Sequence, residues 1–371
     1  MKVTLKSWIV LLLMVIMLTQ CSLFKRVPSN FTNHYFLSDF KDSQKVNDNF
    51  DILHHQWGGA NGGVSKENVF LRDGKIICRA NGDLYTGKVQ GVEGRTNNPK
   101  FHTDPKDPKL GQPWTNRVGG CVMFNKKTGF GSYRVTAKLP KLLGVASAFW
   151  TFFYNEVYPS NPMYDEFKKE GLHEQGSKKR GYYIVRNHEI DIEFPSHLEG
   201  GKLNEPSLSN VKLNVWRGEL KNWGTDKSSE DYWEEYQEGL TPVGKNMGDG
   251  QFHEFRFDWY SDRVEFFIDG VLLRTQVNGS KGKSIPDIAG YFTMGLWFPS
   301  SPLADKPWLV NPKKSWAGGK VGSDGGMKAN FESVEMEIKQ FEFIPFKKEK
   351  GIRILPETYQ PNVKGKFVAE Q

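Results

Sequence analysis

Short apolar-rich runs recur along the chain, several of them alternating apolar and polar residues with a period of two. They include "VFLRD" (69–73), "KIICRA" (75–80), "GSYRVTAKL" (131–139), "SAFWTFFY" (147–154), "HEIDIEF" (188–194) and "VKLNVW" (211–216). "HEFRFDWY" (253–260), "VEFFIDG" (264–270), "FTMGLWF" (292–298) and "VEMEIKQFEFIPF" (334–346) continue the series. A period of two places alternate side chains on opposite faces of a strand. Asp-Gly pairs at "RDGK" (72–75) and "IDGV" (268–271) lie between apolar runs and predict tight hairpins. Many short strands without a long helical pattern predict an all-β sandwich or barrel. Helix is expected only as a turn or two near "YDEFKKEGL" (164–172) and "SEDYWEEYQEGL" (229–240). No internal repeat is visible. One domain is expected over residues 41–346, followed by a peripheral basic tail at 347–371. Two long polar insertions, 155–187 and 217–250, interrupt the strand pattern; loops this long tend to be functional or disordered, and the first, just before the 188–194 run, is expected to rim what that strand lines.

One run carries unusual chemistry. In "HEIDIEF", Glu189, Asp191 and Glu193 share a face while Ile190, Ile192 and Phe194 share the other. Such a strand can simply turn an acidic face to water. "VEMEIK" (334–339) shows the same alternation and is read as a solvated outer face, with Lys339 following its acids. The 189–193 strand differs because it carries no Lys or Arg on its acidic face, puts an Asp in mid-strand, and lies among aromatic-rich runs. Alternation alone does not separate a solvated strand from a reaction centre. Geometry gives the second reading a shape: four residues of strand separate two Cα atoms by roughly 13 Å. Two inward-reaching Glu side chains would then bring their carboxyl groups near the ~5–5.5 Å of a retaining glycosidase pair, short of the ~6.5–9.5 Å of an inverting one. Asp191, between them, can hydrogen-bond either Glu and hold one ionised and one protonated.

Composition changes this picture little. The chain has 371 residues, a formal charge of +7 and 38 glycines, with 13% aromatic residues. The charge is spread without a sustained Lys/Arg block, which argues against nucleic acid as a partner. The N-terminus is more telling. A basic start is followed by "WIVLLLMVIML" (8–18), too short for a comfortable span and similar to a secretory signal. It ends in "LTQC" (18–21), which resembles a bacterial lipoprotein signal, with Gln20 in place of the usual small residue. Residues 1–20 are therefore expected to be a cleaved signal, Cys21 a lipidated N-terminus, and 21–40 a tether. A plain cleaved signal or an uncleaved anchor is the alternative. Export to the cell envelope or outer membrane follows from the first reading; a periplasmic or secreted protein follows from the second. Cys78 and Cys121 lie in apolar runs and could pair or stay as separate buried thiols. No Cys/His spacing suggests a metal site.

"HEIDIEF" resembles the E-x-D-x-E signature of glycoside hydrolase family 16. "ENVFLRDGKIICRA", "GFGSYRVTAKLP…ASAFWTFF", "FHEFRFDWYSDRVEFFIDGVLL" and "MGLWF" are similar to the family's other segments, in its order, over roughly residues 45–345. The resemblance implies a jelly-roll β-sandwich of two antiparallel sheets with a concave glycan cleft. It implies Glu189 as nucleophile, Glu193 as general acid/base and Asp191 as the assisting carboxylate in a retaining double displacement. Trp150 and Trp297 would be sugar-stacking platforms, with core packing as the alternative for each. Asn214 would hydrogen-bond sugar near the cleavage point, or be a strand-end polar residue. His253 would lie beside the catalytic region, or serve as a structural histidine. A single residue between Asp191 and Glu193 resembles the licheninase and xyloglucan-active side of the family. That points to endo-hydrolysis of a mixed-linkage β-1,3/1,4-glucan or a related β-glucan, with β-1,3-glucan, xyloglucan, galactan or transglycosylation left open by the insertions. No cofactor or metal is required, the sequence gives no sign of a structural calcium, and a monomer is expected. A silent glycan-binding jelly-roll and a structural envelope lipoprotein are the rival readings; neither needs all three acids.

Overall fold

The computed structural model describes residues 30–55, 63–81, 118–142, 144–157, 164–165, 174–177, 181–194, 208–218, 234–235, 241–278, 285–298, 333–355 and 362–369. In chain order the strands are β1 (Phe36–Ser38), β2 (Phe50–Leu53), β3 (Val69–Arg72), β4 (Lys75–Ala80), β5 (Gly120–Thr128), β6 (Gly131–Lys138), β7 (Ala146–Val157), β8 (Glu174–Ser177) and β9 (Gly181–Phe194). They continue as β10 (Asn210–Gly218), β11 (Glu234–Glu235), β12 (Thr241–Pro242), β13 (His253–Trp259), β14 (Arg263–Ile268), β15 (Val271–Val277), β16 (Gly290–Trp297), β17 (Val334–Pro345) and β18 (Asn362–Lys364). One sheet has the order β15-β14-β13-β6-β17-β4-β3, with β1 also on β17. The other has the order β11-β10-β9-β7-β16-β5-β2-β18, with β12 on β10 and β8 on β9. All the named strand pairs are antiparallel, as the alternating runs and short turns predict.

The sheets pack face to face on the apolar half of each alternating run, forming a jelly-roll β-sandwich. Ile190, Ile192 and Phe194 of β9 enter a core shared with Phe255, Phe257 and Trp259 of β13 and Phe341 and Phe343 of β17. Rings bridge the sheets directly: Phe149 stacks on Phe255 at 4.7 Å, and Phe292 stacks on Phe341 at 4.8 Å. Phe194 meets Phe255 edge-on at 5.7 Å, so the underside of β9 is fixed by the opposite sheet. Both Asp-Gly hairpins form as expected. Asp73 and Gly74, and Asp269 and Gly270, all have positive φ, the backbone of the two-residue turn that matches strand twist.

Several boundaries differ from those the sequence suggests. The end of the expected tether is already structural: β1 pairs with β17, and Phe40 is buried in the core. A helix absent from the sequence reading, α1 (Ser43–Asn49), follows, capped by Asp42, which accepts from the Lys45 N–H at 3.0 Å. The expected peripheral tail also packs. β18 extends the second sheet beside β2, Phe367 enters the core, and Leu355 O accepts from the buried Lys127 ammonium at 2.6 Å. The 155–187 insertion is in part a continuation of strands, since β7 and β9 stay paired from Ser147–Phe194 out to Val157–Ile184. Tyr164–Asp165 are helical, whereas residues 166–173 lie outside the described residues. Of 217–250, Glu234–Glu235 form a strand on β10 instead of the expected helical turn, and residues 219–233 and 236–240 are outside the description. Cys78 and Cys121 are both buried and free, and burial pushes both thiols up.

Candidate active site

The register across the second sheet builds the site row by row, because directly paired residues of antiparallel strands share a face. Asp191 pairs with Trp150 of β7 on one side and Asn214 of β10 on the other. Glu193 lies between Ala148 and Lys212, and Glu189 between Phe152 and Trp216. Trp150 in turn pairs with Thr293 of β16, and Gly295 of the same strand pairs with Ala148. The face opposite the core thus carries the three acids, flanked by Trp150, Phe152 and Trp216, with Trp297 further along β16. Trp150 and Trp297 pack on a small apolar cluster of Leu53, Val64, Cys121, Met123 and Tyr291. That cluster forms the floor of the face, separate from the main core. Gly295 is needed for the close approach of β16 to β5, since a Cβ there would lie 2.5 Å from Cys121 Cα.

Burial sets the charge state of the acids. Asp191 and Glu193 are buried, and Glu189 is half-buried. Burial raises the Glu189 carboxyl to about 7; the Asn187 amide, which donates to Glu189 Oε2 at 3.2 Å, works against this, and the charge of Glu193 adds to it. Asp191 is driven well above the usual carboxylate range, again first by burial and then by the charges of Glu189 and Glu193. The hydrogen bond between Asp191 and Glu189 raises the former and lowers the latter, so Asp191 keeps the proton and donates it toward the Glu189 carboxylate.

The structure brings together Glu189, Asp191, Glu193, Trp150, Asn214 and Trp297 on one face. The amide nitrogen of Asn214 is buried opposite Asp191 and has no hydrogen-bond partner among the described residues. His253 is elsewhere: it begins β13 in the other sheet, and its ring nitrogens face Asp269 Oδ2 at 2.8 Å and Asp249 Oδ1 at 3.1 Å. Both nitrogens are engaged by carboxylates, so its place is structural, tying the β14–β15 turn to the 245–250 loop. Cys21 lies outside the described residues. Lys212 and Trp216 were not singled out in the sequence. Their signal is the alternation in "VKLNVW", which puts Lys212, Asn214 and Trp216 on one face; it becomes informative once β10 is known to pair with β9. Among the described residues no group of three or more His, Cys, Asp or Glu is arranged to hold a metal ion.

Comparison with known proteins identifies the family. The profile of the Glycosyl hydrolases family 16 matches residues 95–318, and the chain belongs to that family. A beta-glucanase of Paenibacillus polymyxa is 26% identical over 216 residues, covering 57% of this chain and 66% of that protein. A Crh-like protein 2 of Botryotinia fuckeliana is 22% identical over 260 residues, covering 66% of this chain and 50% of its own length. The chain thus spans between half and two thirds of these relatives. Among solved structures, Bacillus licheniformis beta-glucanase superposes with a TM-score of 0.47 at 16% identity, over 84% of this chain and 98% of that one.

Proposed function

We propose that this protein is a retaining endo-glycosidase that cleaves internal β-glycosidic bonds of a polysaccharide, with a mixed-linkage β-1,3/1,4-glucan or related β-glucan as substrate. The observation that carries this reading is the triad itself: three carboxyls on one face of β9, two buried and one half-buried, beside an aromatic-walled surface. In the first step the Glu193 carboxyl gives its proton to the glycosidic oxygen as the Glu189 carboxylate attacks the anomeric carbon. The carbon–oxygen bond to the leaving sugar breaks and a glycosyl ester forms on Glu189. Water then loses a proton to Glu193 and adds to the anomeric carbon, releasing Glu189 and regenerating the acid. Asp191 holds its proton against Glu189, keeping the nucleophile ionised and aimed. The faces of Trp150, Trp216 and Trp297 suit the apolar faces of pyranose rings. The glucanase among the family relatives supports the substrate choice, as does the regular strand between Asp191 and Glu193.

Release of reducing ends from a panel of β-glucans, xyloglucan and galactans tests the activity. Product anomers followed by NMR test the mechanism: retention is expected, and initial inversion would remove Glu189 from its role as nucleophile. We also propose export and attachment through a lipid at Cys21. Labelling with palmitate in the wild type and in Cys21→Ser tests it; equal labelling would refute the anchor.

A further inference from the structure

Lys212 has a place in this site that its neighbours do not share. In its row across the sheet, Glu193 has Lys212 on β10 to one side and Ala148 on β7 to the other, with Gly295 beyond. Ala148 and Gly295 supply no polar side-chain atom, so among the described residues Lys212 is the polar side chain directly beside Glu193 in this row. On the same face, β7 contributes Tyr154, while β10 contributes Lys212 as its cation. Behind the strand, on the core side, stand Arg186 and His188 of β9 and Arg217 of β10. The last two turn to Asp287: Arg217 Nη2 lies 3.2 Å from its carboxylate, and His188 Nδ1 accepts from its backbone N–H at 3.1 Å, so both are engaged away from the acids. Three carboxyls in a poorly hydrated site cannot hold a negative charge cheaply without a nearby positive one.

We propose that Lys212 is the counter-charge of the acid face, set across the strand pair from Glu193, and thereby acts as a positioning residue for the reaction. The ammonium of Lys212 lowers both Glu189 and Asp191; at Glu189 the hydrogen bonds from Asn187 and Asp191 lower the carboxyl more, and Lys212 adds to them. For its kinetic consequence the inference rests on the glycosidase reading; for the charge state of the triad it does not.

The test uses the full chain with Lys212→Met and Lys212→Arg. Removing the cation raises the carboxyls, so protonation of Glu189 persists to higher pH. The acid limb of kcat/KM in Lys212→Met should move up by less than about one pH unit, a loss of a few-fold on that limb that recovers as the pH rises. Lys212→Arg should return the limb to its wild-type position. A pH-independent loss, or a loss confined to KM, would overturn the proposal in favour of a packing or a sugar-binding role. Carbon-13 NMR titration of the side-chain carboxyls, without substrate, gives the readout that needs no activity. The high-titrating carboxyls should move up in Lys212→Met and not in Lys212→Arg; unchanged titration overturns the proposal. If no glycan is cleaved by the wild type while the titration moves as stated, the glycosidase reading fails and the role of Lys212 stands.

Discussion

On β9, Glu189, Asp191 and Glu193 alternate with Ile190 and Ile192; on β17, Glu335 and Glu337 alternate with Met336 and Ile338. In both strands the apolar residues enter the core and the acids face away from it. What differs is the neighbouring strand. Glu335 accepts from Arg79 at 2.8 and 3.0 Å and from Arg72, while Glu337 pairs with Lys75 at 3.3 Å and with Lys138. Partial burial works against the charge of Glu335 and Glu337, yet these cations outweigh it and hold both carboxyls below the usual range. On β9, burial and mutual repulsion win despite Lys212, and the carboxyls are pushed up. The same one-strand pattern therefore yields a neutralised structural ladder in one sheet and a charge-strained site in the other. Cross-strand partners decide between them.

The largest expected effect separates the two regions by activity. Glu189→Ala and Glu193→Ala should each lower kcat/KM on the best glucan by at least about 1000-fold, because each removes a reacting group. Glu335→Gln should stay within about twofold of wild type, since a solvent-side ion pair in the other sheet contributes little. Comparable losses in all three, measured by reducing-end release on folded protein, would break the distinction. A second large effect lies beneath the site. Phe255→Ala removes the ring that holds Phe149 and Phe194 under β7 and β9, and should cost about 3–5 kcal/mol of stability by urea denaturation.

What the sequence made legible follows the range of the interactions involved. The Asp-Gly hairpins at 72–75 and 268–271 are set within four residues, and both form as read. The acidic face of β9 is set by alternation and was equally legible. The packing of residues 36–40 and 362–369 was not, because β1 and β18 are ordered by partners some three hundred residues away in sequence. α1 was missed because its seven residues bury only Val46, too few for a helical period to show. The tie of Lys339 to the acids of its own strand was also misread. A register shift between Ile338 and Gln340 takes Lys339 out of the pairing, and its ammonium sits 5.8 Å from the Phe252 ring, so the neutralising charges come from β3, β4 and β6. Lys212 and Trp216 needed the β9–β10 register, which no local pattern supplies.

Stability against pH sharpens the comparison by its sign. Glu189 has a folded-state value raised to about 7, above that of the unfolded chain, so its ionisation opposes folding. The penalty is absent below about pH 4, grows as the unfolded chain ionises first, and is complete above about pH 7. Glu189→Gln should therefore raise stability by about 1–3 kcal/mol at pH 8 and leave it unchanged at pH 4, in paired urea titrations. Destabilisation at pH 8 would mean that the acid is not strained in the folded state.

Glu335→Gln should show the opposite sign and the smallest effect. Its folded-state carboxyl is lowered, so its ionisation favours folding above the unfolded value and that contribution disappears as pH falls through the folded one. The side chain is partly exposed and shared between Arg72 and Arg79, and such pairs are typically worth no more than about 1 kcal/mol. The substitution should lower stability by less than about 1 kcal/mol at pH 7, with the difference shrinking at 1 M salt and vanishing near pH 2. A gain in stability at pH 7, matching the sign expected for Glu189→Gln, would show that the two acidic strands are under the same strain and that the cations of β3 and β4 do not set them apart.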